Sequence, residues 1–361
     1  MDKLTLHDLH NHWGARFVSV NGSEVVDHYG DLDREYDALV NQAGVIDLSF
    51  RGRLCVTGND RVRFLHGQVT NDIKKLHEGD GCYAALITAK GRTESDLNIY
   101  CLAEELLLDF EPGLDSTVCQ RLEKYIIADD VGIMNVAALY GMLSVQGPRS
   151  VEIVRAAAWT TDLPAVPSKF VKFATASGEG YLLNQPRLGT AGYDLFLPTS
   201  ELRSAAEKLV DLARNFGGRA TGWQAFEVAR VEAGIPRFGA DIDSSNIPLE
   251  AGLENRAISF SKGCYIGQEV ISRIKTYSEV SKSLQGLRLE PIGPLPLKGD
   301  KLFHAGREVG YITSAVESPK VKAPIALGYV RKEVNQLGTE LTVRTNGGDV
   351  VAHIVELPTK E

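Results

Sequence analysis

Several sequence patterns that mark common enzyme classes are absent from this chain of 361 residues. There is no GxxxxGK[ST] phosphate-binding loop, and no GxGxxG follows a predicted strand, so nucleotide chemistry has no support. HExxH and GxSxG are also missing, which removes the usual starting points for zinc-dependent and serine hydrolysis. The five cysteines form no CxxC pair, so neither a zinc ribbon nor a thioredoxin-like dithiol is indicated.

The chain also lacks a long apolar run and an excess of positive charge. Apolar runs such as 137–145 are far too short to cross a bilayer, so we expect no membrane segment. The N-terminal stretch MDKLTLHDLHNHW has neither the apolar centre nor the arginine-rich character of a targeting peptide, and we therefore expect a cytoplasmic protein. The formal net charge of −8 argues against direct binding to nucleic acid, because phosphate contacts need clustered cations.

Two local groups of polar residues could depart from that overall picture. The first is a basic cluster of four side chains, which we interpret on its pattern alone as the solvated face of a strand: Arg51, Arg53, Arg61 and Arg63. The second is HDLHNH, which could in principle ligate a metal through its three histidines: His7, His10 and His12. We expect this segment to be a floppy terminus whose histidines are incidental, so we predict no metal site.

Hydrophobic periodicity predicts an α+β protein of more than one domain. A chain of 361 residues is too long for one ordinary core. Predicted strands come in antiparallel-looking groups separated by single helices, without a regular βαβ alternation. From Leu284 onward helical periodicity disappears and Pro/Gly turns punctuate short strands, which predicts a small closed β-domain. We place the boundary near Ser278 to Ser283, so that the domains are 1–278 and 279–361.

One cysteine has a setting unlike the others. Cys55, Cys101 and Cys119 sit in apolar strand or helix patterns and are predicted to be core residues. Cys264 instead lies in SKGCYIGQEVISR, close behind Lys262 and just before a predicted helix that starts at about residue 265. A helix N-terminus and a lysine would both favour a thiolate. A tight loop with a half-buried structural cysteine explains the same residues, and the spacing alone leaves both interpretations open.

The octapeptide KGCYIGQE resembles the signature of the YgfZ-type folate-binding proteins, relatives of the glycine-cleavage T-protein (aminomethyltransferase). Three further stretches extend the resemblance over nearly the whole chain. GVIDLSFRGRLCVTGNDRVRFLHGQVTNDI (44–73) resembles the family's opening strand–helix unit, and GTAGYDLFLP (189–198) resembles its Gly-rich strand with an acidic residue. ARVEAGIPRFGADIDSSNIPLEAGL (229–253) resembles its Arg-x-Glu-Ala-Gly segment. The octapeptide is the most specific of these.

The resemblance implies a fold and a ligand. The fold would be a three-lobed ring around a central channel that holds tetrahydrofolate, or a one-carbon-substituted folate. Two intertwined α+β lobes, the second at about 52–140, would form the folate-binding region 1–278. A C-terminal β-barrel-like domain would occupy 279–361.

The resemblance also implies residues of the folate site. Asp194 would bond the amino-pyrimidine face of the pterin, which suits a carboxylate because the pterin presents adjacent N–H donors. Arg230 would lie near the same site, although a helix-surface ion pair with Glu227 or Glu232 is the alternative that its spacing alone favours. We add three further residues of these motifs to the predicted folate contacts: Tyr193, Gln268 and Glu269.

One departure concerns the chemistry. Transferases of the family carry an Asp-Asp-Leu stretch whose aspartate assists one-carbon transfer, and the matching stretch here is ESDLNIY, with Ser95 and then Asp96. Part of the acidic pair is therefore missing, while Asp96 can still touch the folate. The cysteine motif is one that T-proteins lack.

Three hypotheses of function follow from the resemblance. The first is a tetrahydrofolate-binding factor that assembles or repairs iron–sulfur enzymes, with Cys264 as the working thiol beside Lys262. A lone cysteine cannot hold a cluster by itself, so the iron–sulfur proteins would be clients of this protein. The second is a folate-dependent aminomethyl or methyl transferase in which Asp96 takes part in catalysis. The third is a tRNA-modification factor, against which the negative net charge counts.

Overall fold

The structure is a computed structural model that describes residues 3–277 and 279–358. Ser278, at one end of the predicted domain boundary, lies outside the described residues. The strands are β1 (Arg16–Val20), β2 (Ser23–His28), β3 (Gly44–Asp47), β4 (Gly52–Thr57), β5 (Gly81–Ile87), β6 (Thr93–Cys101), β7 (Leu106–Phe110), β8 (Gly132–Asn135), β9 (Tyr140–Gln146), β10 (Phe170–Thr175), β11 (Gly178–Asn184), β12 (Gly192–Pro198), β13 (Arg219–Ala220), β14 (Lys282–Leu289), β15 (Lys301–His304), β16 (Arg307–Ser318), β17 (Ala323–Arg331), β18 (Glu340–Thr345) and β19 (Gly348–Val355). The α-helices are α1 (His7–His12), α2 (Leu32–Asn41), α3 (Arg61–Gln68), α4 (Asp115–Glu123), α5 (Ser150–Ala157), α6 (Leu202–Asn215), α7 (Trp223–Glu232), α8 (Glu254–Ala257) and α9 (Gln268–Tyr277).

The chain divides into two compact units. The first unit runs to Ala84 and resumes from Ser95 to Phe226. The second comprises Ala85–Glu94 and the chain from Glu227 onward. No helix among the described residues has the length and apolar character needed to span a membrane.

A six-stranded sheet with the order β10-β11-β12-β9-β3-β13 lies in the first unit. Side chains alternate between the two faces of a strand, so the odd positions of β12 and β9 enter one hydrophobic core with α5 and α6. This core is continuous, and its strand and helix members include Leu143, Val145, Ile153, Val154, Tyr193, Leu195, Leu197, Leu202, Leu209 and Val210. Asp194, between two of these positions, faces the opposite side of the sheet.

A five-stranded sheet with the order β5-β6-β7-β4-β8 carries polar residues on one face. In its antiparallel register Asn98 of β6 lies opposite Asp109 of β7, and Asp109 lies opposite Arg53 of β4. Paired residues share a face, and so does Asp96, two positions from Asn98. This sheet therefore presents a row of polar side chains although β4, β6 and β7 are buried almost throughout.

A closed barrel with the strand order β14-β17-β16-β15-β18-β19 forms the C-terminal part of the second unit. The barrel encloses an apolar core whose members are Leu287, Leu289, Leu302, Val309, Ile312, Ala326, Val330, Leu341, Val343, Val350, Ala352 and Ile354. The predicted fold class is confirmed: mixed sheet-and-helix lobes are followed by a closed β-barrel, as the loss of helical periodicity after Leu284 indicated.

The sequence expectations for the N-terminal segment and for Arg51 and Arg53 were wrong. The N-terminal segment is not floppy, because α1 forms and His10 is buried, with its Nε2 2.9 Å from Asp47 Oδ2 and its Nδ1 2.8 Å from the Tyr29 hydroxyl. The arginines at the start of β4 are not a solvated face either. Arg51 is 7% exposed and Arg53 is fully buried, and Arg53 Nη2 donates to the carbonyl oxygens of Ser49 and Ala137.

Candidate functional site

A buried charged cluster joins the polar faces of the two sheets within the first unit. We call it the Asp109 cluster, and its members are Arg51, Asp109, Glu111, Arg187 and Asp194. Asp109 lies in β7, and Glu111 is the residue that follows this strand. The two are two positions apart in the chain, so their side chains lie on the same side of the sheet. Arg187 belongs to the turn between β11 and β12 and reaches both Asp109 and Asp194.

Asp109 is the centre of this cluster. Its Oδ1 accepts a hydrogen bond from Arg51 Nε at 2.7 Å, and its Oδ2 accepts from Arg187 Nη2 at 3.0 Å and from Asn98 Nδ2 at 2.9 Å. Burial would raise the pKa of Asp109, but the two guanidinium groups outweigh burial and lower that pKa to about 2. Arg51 also donates to Glu111. Asp109 is therefore an ionised anchor at neutral pH rather than a proton-transfer group.

Asp194 is completely buried and only partly paired. Arg187 Nε donates to its Oδ2 at 2.9 Å, whereas its Oδ1 has no hydrogen-bond partner among the described residues. Burial raises the pKa of Asp194 more than Arg187 and the Ser144 hydroxyl lower it. Ser144 lies opposite Asp194 on the neighbouring strand, and its hydroxyl is near the carboxylate without making a hydrogen bond of normal geometry to Oδ1. A buried acceptor without a partner is unfavourable, so Asp194 is suited to receive a donor from a ligand.

Asp96 lies beside the Asp109 cluster, but its pKa is raised whereas that of Asp109 is lowered. Its Oδ2 accepts a hydrogen bond from the Tyr83 hydroxyl at 2.8 Å. Burial and the nearby Glu111 carboxylate raise the pKa of Asp96 to about 6, against the opposing effects of Tyr83 and Arg51. A carboxyl group that titrates near neutral pH can accept and return a proton, which is the property that general acid–base catalysis needs.

Arg230 lies in the second unit and is fully engaged by protein groups. Its Nε and Nη2 donate to Glu227 at 2.7 and 2.8 Å, and Nη2 also donates to Ser314 at 2.9 Å. Nη1 donates to Asp241 at 2.7 Å and to the carbonyl oxygen of Ile235 at 3.2 Å. An arginine has five N–H donors, and these five contacts use them. The ion pair with Glu227 is thus present, but it is buried instead of lying on a helix surface.

Tyr193 faces away from Asp194. The two residues are neighbours on β12, so their side chains point to opposite sides of the sheet. Tyr193 packs into the hydrophobic core with Leu195 and Leu197. We therefore leave Tyr193, like Arg230, out of the folate contacts that we propose below.

The segment around Cys264 lies in the second unit, and Cys264 is exposed. The helix α9 begins at Gln268, later than the sequence predicted, so Cys264 precedes it by a short loop. Lys262 is buried, with its Nζ 4.8 Å from the centre of the Tyr265 ring. Gln268 is half-buried, and its Nε2 donates to the carbonyl oxygen of Gly263 at 3.5 Å. Glu269 is exposed in the first turn of α9.

The backbone conformation and close packing at residue 267 explain why a glycine occupies this position. Its φ is +82°, and a Cβ at this position would lie 2.5 Å from the carbonyl oxygen of Thr88. Only glycine satisfies both conditions without strain. The backbone at Gly267 therefore approaches another segment closely, and that segment is the loop that follows β5.

The other cysteines behave in part as the sequence predicted. Cys55 is a core residue, which confirms the prediction, and burial raises the pKa of its thiol. Cys101 and Cys119 are half-buried rather than core residues. Cys101 is the last residue of β6, and Cys119 lies on a helix whose buried stripe is formed by Val118 and Leu122.

Sequence reasoning missed most of the Asp109 cluster. Asp109 interrupts the apolar run LLLDF, and an acidic residue inside a fully buried strand is a signal that could have identified it. Arg187 has no comparable signal, because its partners are Asp109 and Asp194 and only the folded chain brings β7 beside this turn.

Comparison with known proteins decides the family. Residues 6–262 match the GCVT N-terminal domain, and residues 282–359 match the glycine cleavage T-protein C-terminal barrel domain. The chain belongs to the glycine cleavage T-protein family. Among similar T-proteins, the aminomethyltransferase of Halalkalibacterium halodurans is 28% identical, with 99% of this chain and 98% of that protein covered. The aminomethyltransferase of Bacillus subtilis is 27% identical, with 99% of each covered.

A solved T-protein structure has the same fold. The crystal structure of the glycine cleavage system aminomethyltransferase T from Bartonella henselae matches with a TM-score of 0.88 and covers 99% of this chain and 97% of that chain. The two sequences are 23% identical, so this likeness establishes the T-protein fold and nothing finer. The YgfZ-type assignment is narrower than the T-protein family and belongs to the proposals that follow.

Proposed function

We propose that this T-protein-family chain binds tetrahydrofolate and transfers a one-carbon unit, either aminomethyl or methyl. The aminomethyltransferase names of its relatives support this hypothesis better than they support a role in iron–sulfur maintenance. The single observation that carries the proposal is Asp96, a buried carboxyl group with a pKa of about 6. The Asp109 carboxylate acts on the pKa of both Asp96 and Asp194. The unpaired Oδ1 of Asp194 can accept a hydrogen bond from a ligand.

Asp194 and Asp96 divide the work in this proposal. Asp194 would orient the pterin by accepting hydrogen bonds from its N–H groups. The unpaired Oδ1 of Asp194 fits that role. Tetrahydrofolate, when bound, would supply the nitrogen that accepts the one-carbon unit, and the donor would leave with the electron pair of the bond that breaks. Asp96 takes up the proton released there at its Oδ1, since Oδ2 is bonded to the Tyr83 hydroxyl. Tyr83 fixes the direction of the carboxyl group.

The serine that replaces the first acid of the family pair does not alter this face of the sheet. Ser95 and Asp96 are adjacent on β6, so their side chains point to opposite faces. Ser95 is buried, and its hydroxyl donates to the carbonyl oxygen of Asp96 at 3.1 Å. The departure from Asp-Asp-Leu therefore leaves the surroundings of Asp96 in place.

Two matched substitutions separate binding from transfer. Asp194→Asn should weaken tetrahydrofolate binding by about 1–3 kcal/mol, because the amide cannot pair both pterin donors. Asp96→Asn should leave the affinity within about threefold and reduce transfer from an aminomethyl or methyl donor by about 10²–10⁴-fold. Calorimetry measures the first effect and folate consumption the second. Equal affinity of wild type and Asp194→Asn would contradict the pterin assignment.

A second candidate function has one observation in its favour. Cys264 is exposed within the KGCYIGQE motif, whereas Cys55 is buried. In this hypothesis the protein is a YgfZ-type factor that uses folate and the Cys264 thiol to maintain iron–sulfur client enzymes in the cytoplasm. The test is whether Cys264→Ala restores the activities of several unrelated iron–sulfur enzymes in cells that lack the protein. Full restoration excludes a working thiol at this position.

A further inference from the structure

Arg187 is the cationic partner of Asp194. Its Nε donates to Asp194 Oδ2 at 2.9 Å, and its Nη2 lies 2.7 Å from the same oxygen. Nη2 also donates to Asp109 Oδ2 at 3.0 Å. Asp194 and Asp109 have no exposed surface, whereas 9% of the Arg187 side chain is exposed. The paired oxygen of Asp194 is therefore covered by the Arg187 guanidinium.

The ion pair uses Asp194 incompletely. Nε and Nη2 of Arg187 both lie close to Oδ2 of Asp194, and Nη2 is shared with Asp109. Oδ1 of Asp194 stays buried without a hydrogen-bond partner among the described residues. A two-pronged donor that faced Asp194 alone would bond both oxygens. Since an unpaired buried acceptor is unfavourable, such a donor has an advantage over Arg187 at this carboxylate.

The turn that carries Arg187 is held independently of its guanidinium. Gln146 Oε1 accepts a hydrogen bond from Arg187 N at 2.9 Å, and Gln146 Nε2 donates to the carbonyl oxygen of Gln185 at 3.0 Å. Gln146 is itself fully buried on β9. A rotation of the Arg187 side chain would therefore leave its backbone in place.

The rest of the Asp109 cluster tolerates that rotation. Asp109 keeps the hydrogen bonds from Arg51 Nε and Asn98 Nδ2 when Arg187 departs. Asp194, by contrast, would lose the one cation that pairs with it among the described residues. The rotation would therefore leave a buried carboxylate to which a planar donor could bond.

We propose that Arg187 is an internal substitute for the pterin, which occupies Asp194 until the amidine edge of a folate displaces it. This inference rests on the proposed function. The 2-amino-4-oxopyrimidine part of a pterin carries adjacent N–H donors in the same N–C–N arrangement as a guanidinium. Arg187 makes the site specific, because a ligand without that edge cannot replace the hydrogen bonds that are lost. The affinity for folate is reduced by the fraction of time that Arg187 covers Asp194.

The test compares tetrahydrofolate binding to the full-length wild type, Arg187→Lys and Arg187→Ala by calorimetry. A lysine keeps a cation but loses the planar fork, so it should hold Asp194 less firmly. We expect the affinity to rise about threefold for Arg187→Lys and about tenfold or more for Arg187→Ala. Arg203→Ala is the control, since Arg203 forms an exposed pair with Glu207 on α6, and its affinity should equal that of the wild type. Should Arg187→Ala fail to fold, Arg187→Lys carries the test.

A second readout separates this inference from the proposed function. The small probe 2-amino-4-hydroxypyrimidine should raise the Tm of Arg187→Lys and Arg187→Ala but not that of the wild type or Arg203→Ala. Unchanged or weaker folate binding by both Arg187 variants overturns the displacement of Arg187 while folate binding stands. If no variant binds tetrahydrofolate, the proposed function falls, and an absent Tm response to the probe then overturns the substitute role of Arg187 as well.

Discussion

The pKa of Asp96 links catalysis to stability at the scale of a single residue. Its folded-state pKa of about 6 lies above the ordinary value of about 4. Below pH 4 the group is protonated in both the folded and the unfolded state. As the pH rises through about 6, the folded state must carry a buried charge, so the stabilising effect of the proton is lost.

Asp96→Asn should therefore stabilise the folded protein at alkaline pH. We expect the free energy of unfolding at pH 8 to rise by about 2–3 kcal/mol, because two pKa units correspond to about that energy. Between pH 4 and pH 7 the variant should also lose part of the pH dependence seen in the wild type. Urea unfolding at several pH values measures both effects, with Asp211→Asn as a control for an exposed carboxylate. A variant that is less stable than the wild type at pH 8 would contradict the charge assignment.

Cys264 and Cys55 should differ sharply in reactivity. Cys264 is exposed, whereas Cys55 is 3% exposed and burial raises the pKa of its thiol. Iodoacetamide at pH 8 should modify Cys264 in the native protein and reach Cys55 only after unfolding. Mass spectrometry of peptides from wild type and Cys264→Ala identifies the modified residue. Native-state modification of Cys55 at the rate of Cys264 would show that β4 opens readily.

The sequence identified residues whose signals are local and missed those whose partners are distant. The sequence left an accessible thiol at Cys264 as one of two open interpretations, and the core position of Cys55 followed from an alternating strand. The Arg51–Asp109 contact joins residues 58 positions apart, and Arg187–Asp109 joins residues 78 positions apart. No local pattern encodes such pairs, so Arg51 without its partners was predicted to be exposed to solvent.

At the scale of elements, the loop before α9 depends on Gly267. Gly267→Ala should lower the free energy of unfolding by about 2–4 kcal/mol, since a positive φ and a contact at 2.5 Å with Thr88 O both oppose a Cβ. Gly252→Ala is the matched control, because Gly252 has φ +70° and a Cβ added there would meet no atom within 4 Å. It should cost only about 1 kcal/mol.

Denaturant unfolding of the two glycine variants isolates the cost of the Thr88 contact as their difference. Equal destabilisation would mean that the loop after β5 shifts to admit the methyl group. Alkylation of Cys264 in Gly267→Ala then reports whether the motif keeps its exposure when its anchor to Thr88 is disturbed.

Strands were predicted more reliably than short helices for a physical reason. The closed barrel follows from alternation and turn residues that lie within a few positions of one another. The six-residue helix α1 has no side-chain N-cap, and it is held instead by the buried His10 and its contact with Asp47. The helix α4 ends at Glu123, although the apolar stripe continues to Tyr125 and Ile126. Tertiary contacts decide such elements, and a sequence pattern cannot supply them.

At the scale of the whole molecule, charge distribution bears on the tRNA hypothesis. The chain has 39 basic and 47 acidic residues. Of the basic cluster recognised in the sequence, Arg51 and Arg53 are buried, and Arg63 lies 2.6 Å from Asp129 and 3.2 Å from Asp60. Counterion release, which drives non-specific binding to nucleic acids, needs exposed cations that are free to meet phosphates.

We therefore expect this T-protein-family chain to bind tRNA more weakly than roughly 10 µM at 150 mM salt. Mobility-shift titrations at 50 and 150 mM salt measure this, with the double variant Asp60→Asn/Asp129→Asn as a control. That variant frees Arg63 and removes two negative charges, yet one exposed arginine should not create a binding site. Sub-micromolar binding by the wild type would contradict the charge argument and favour a direct role in tRNA modification. Weak binding leaves any effect on tRNA to be exerted through other enzymes, because the protein would not hold the RNA itself.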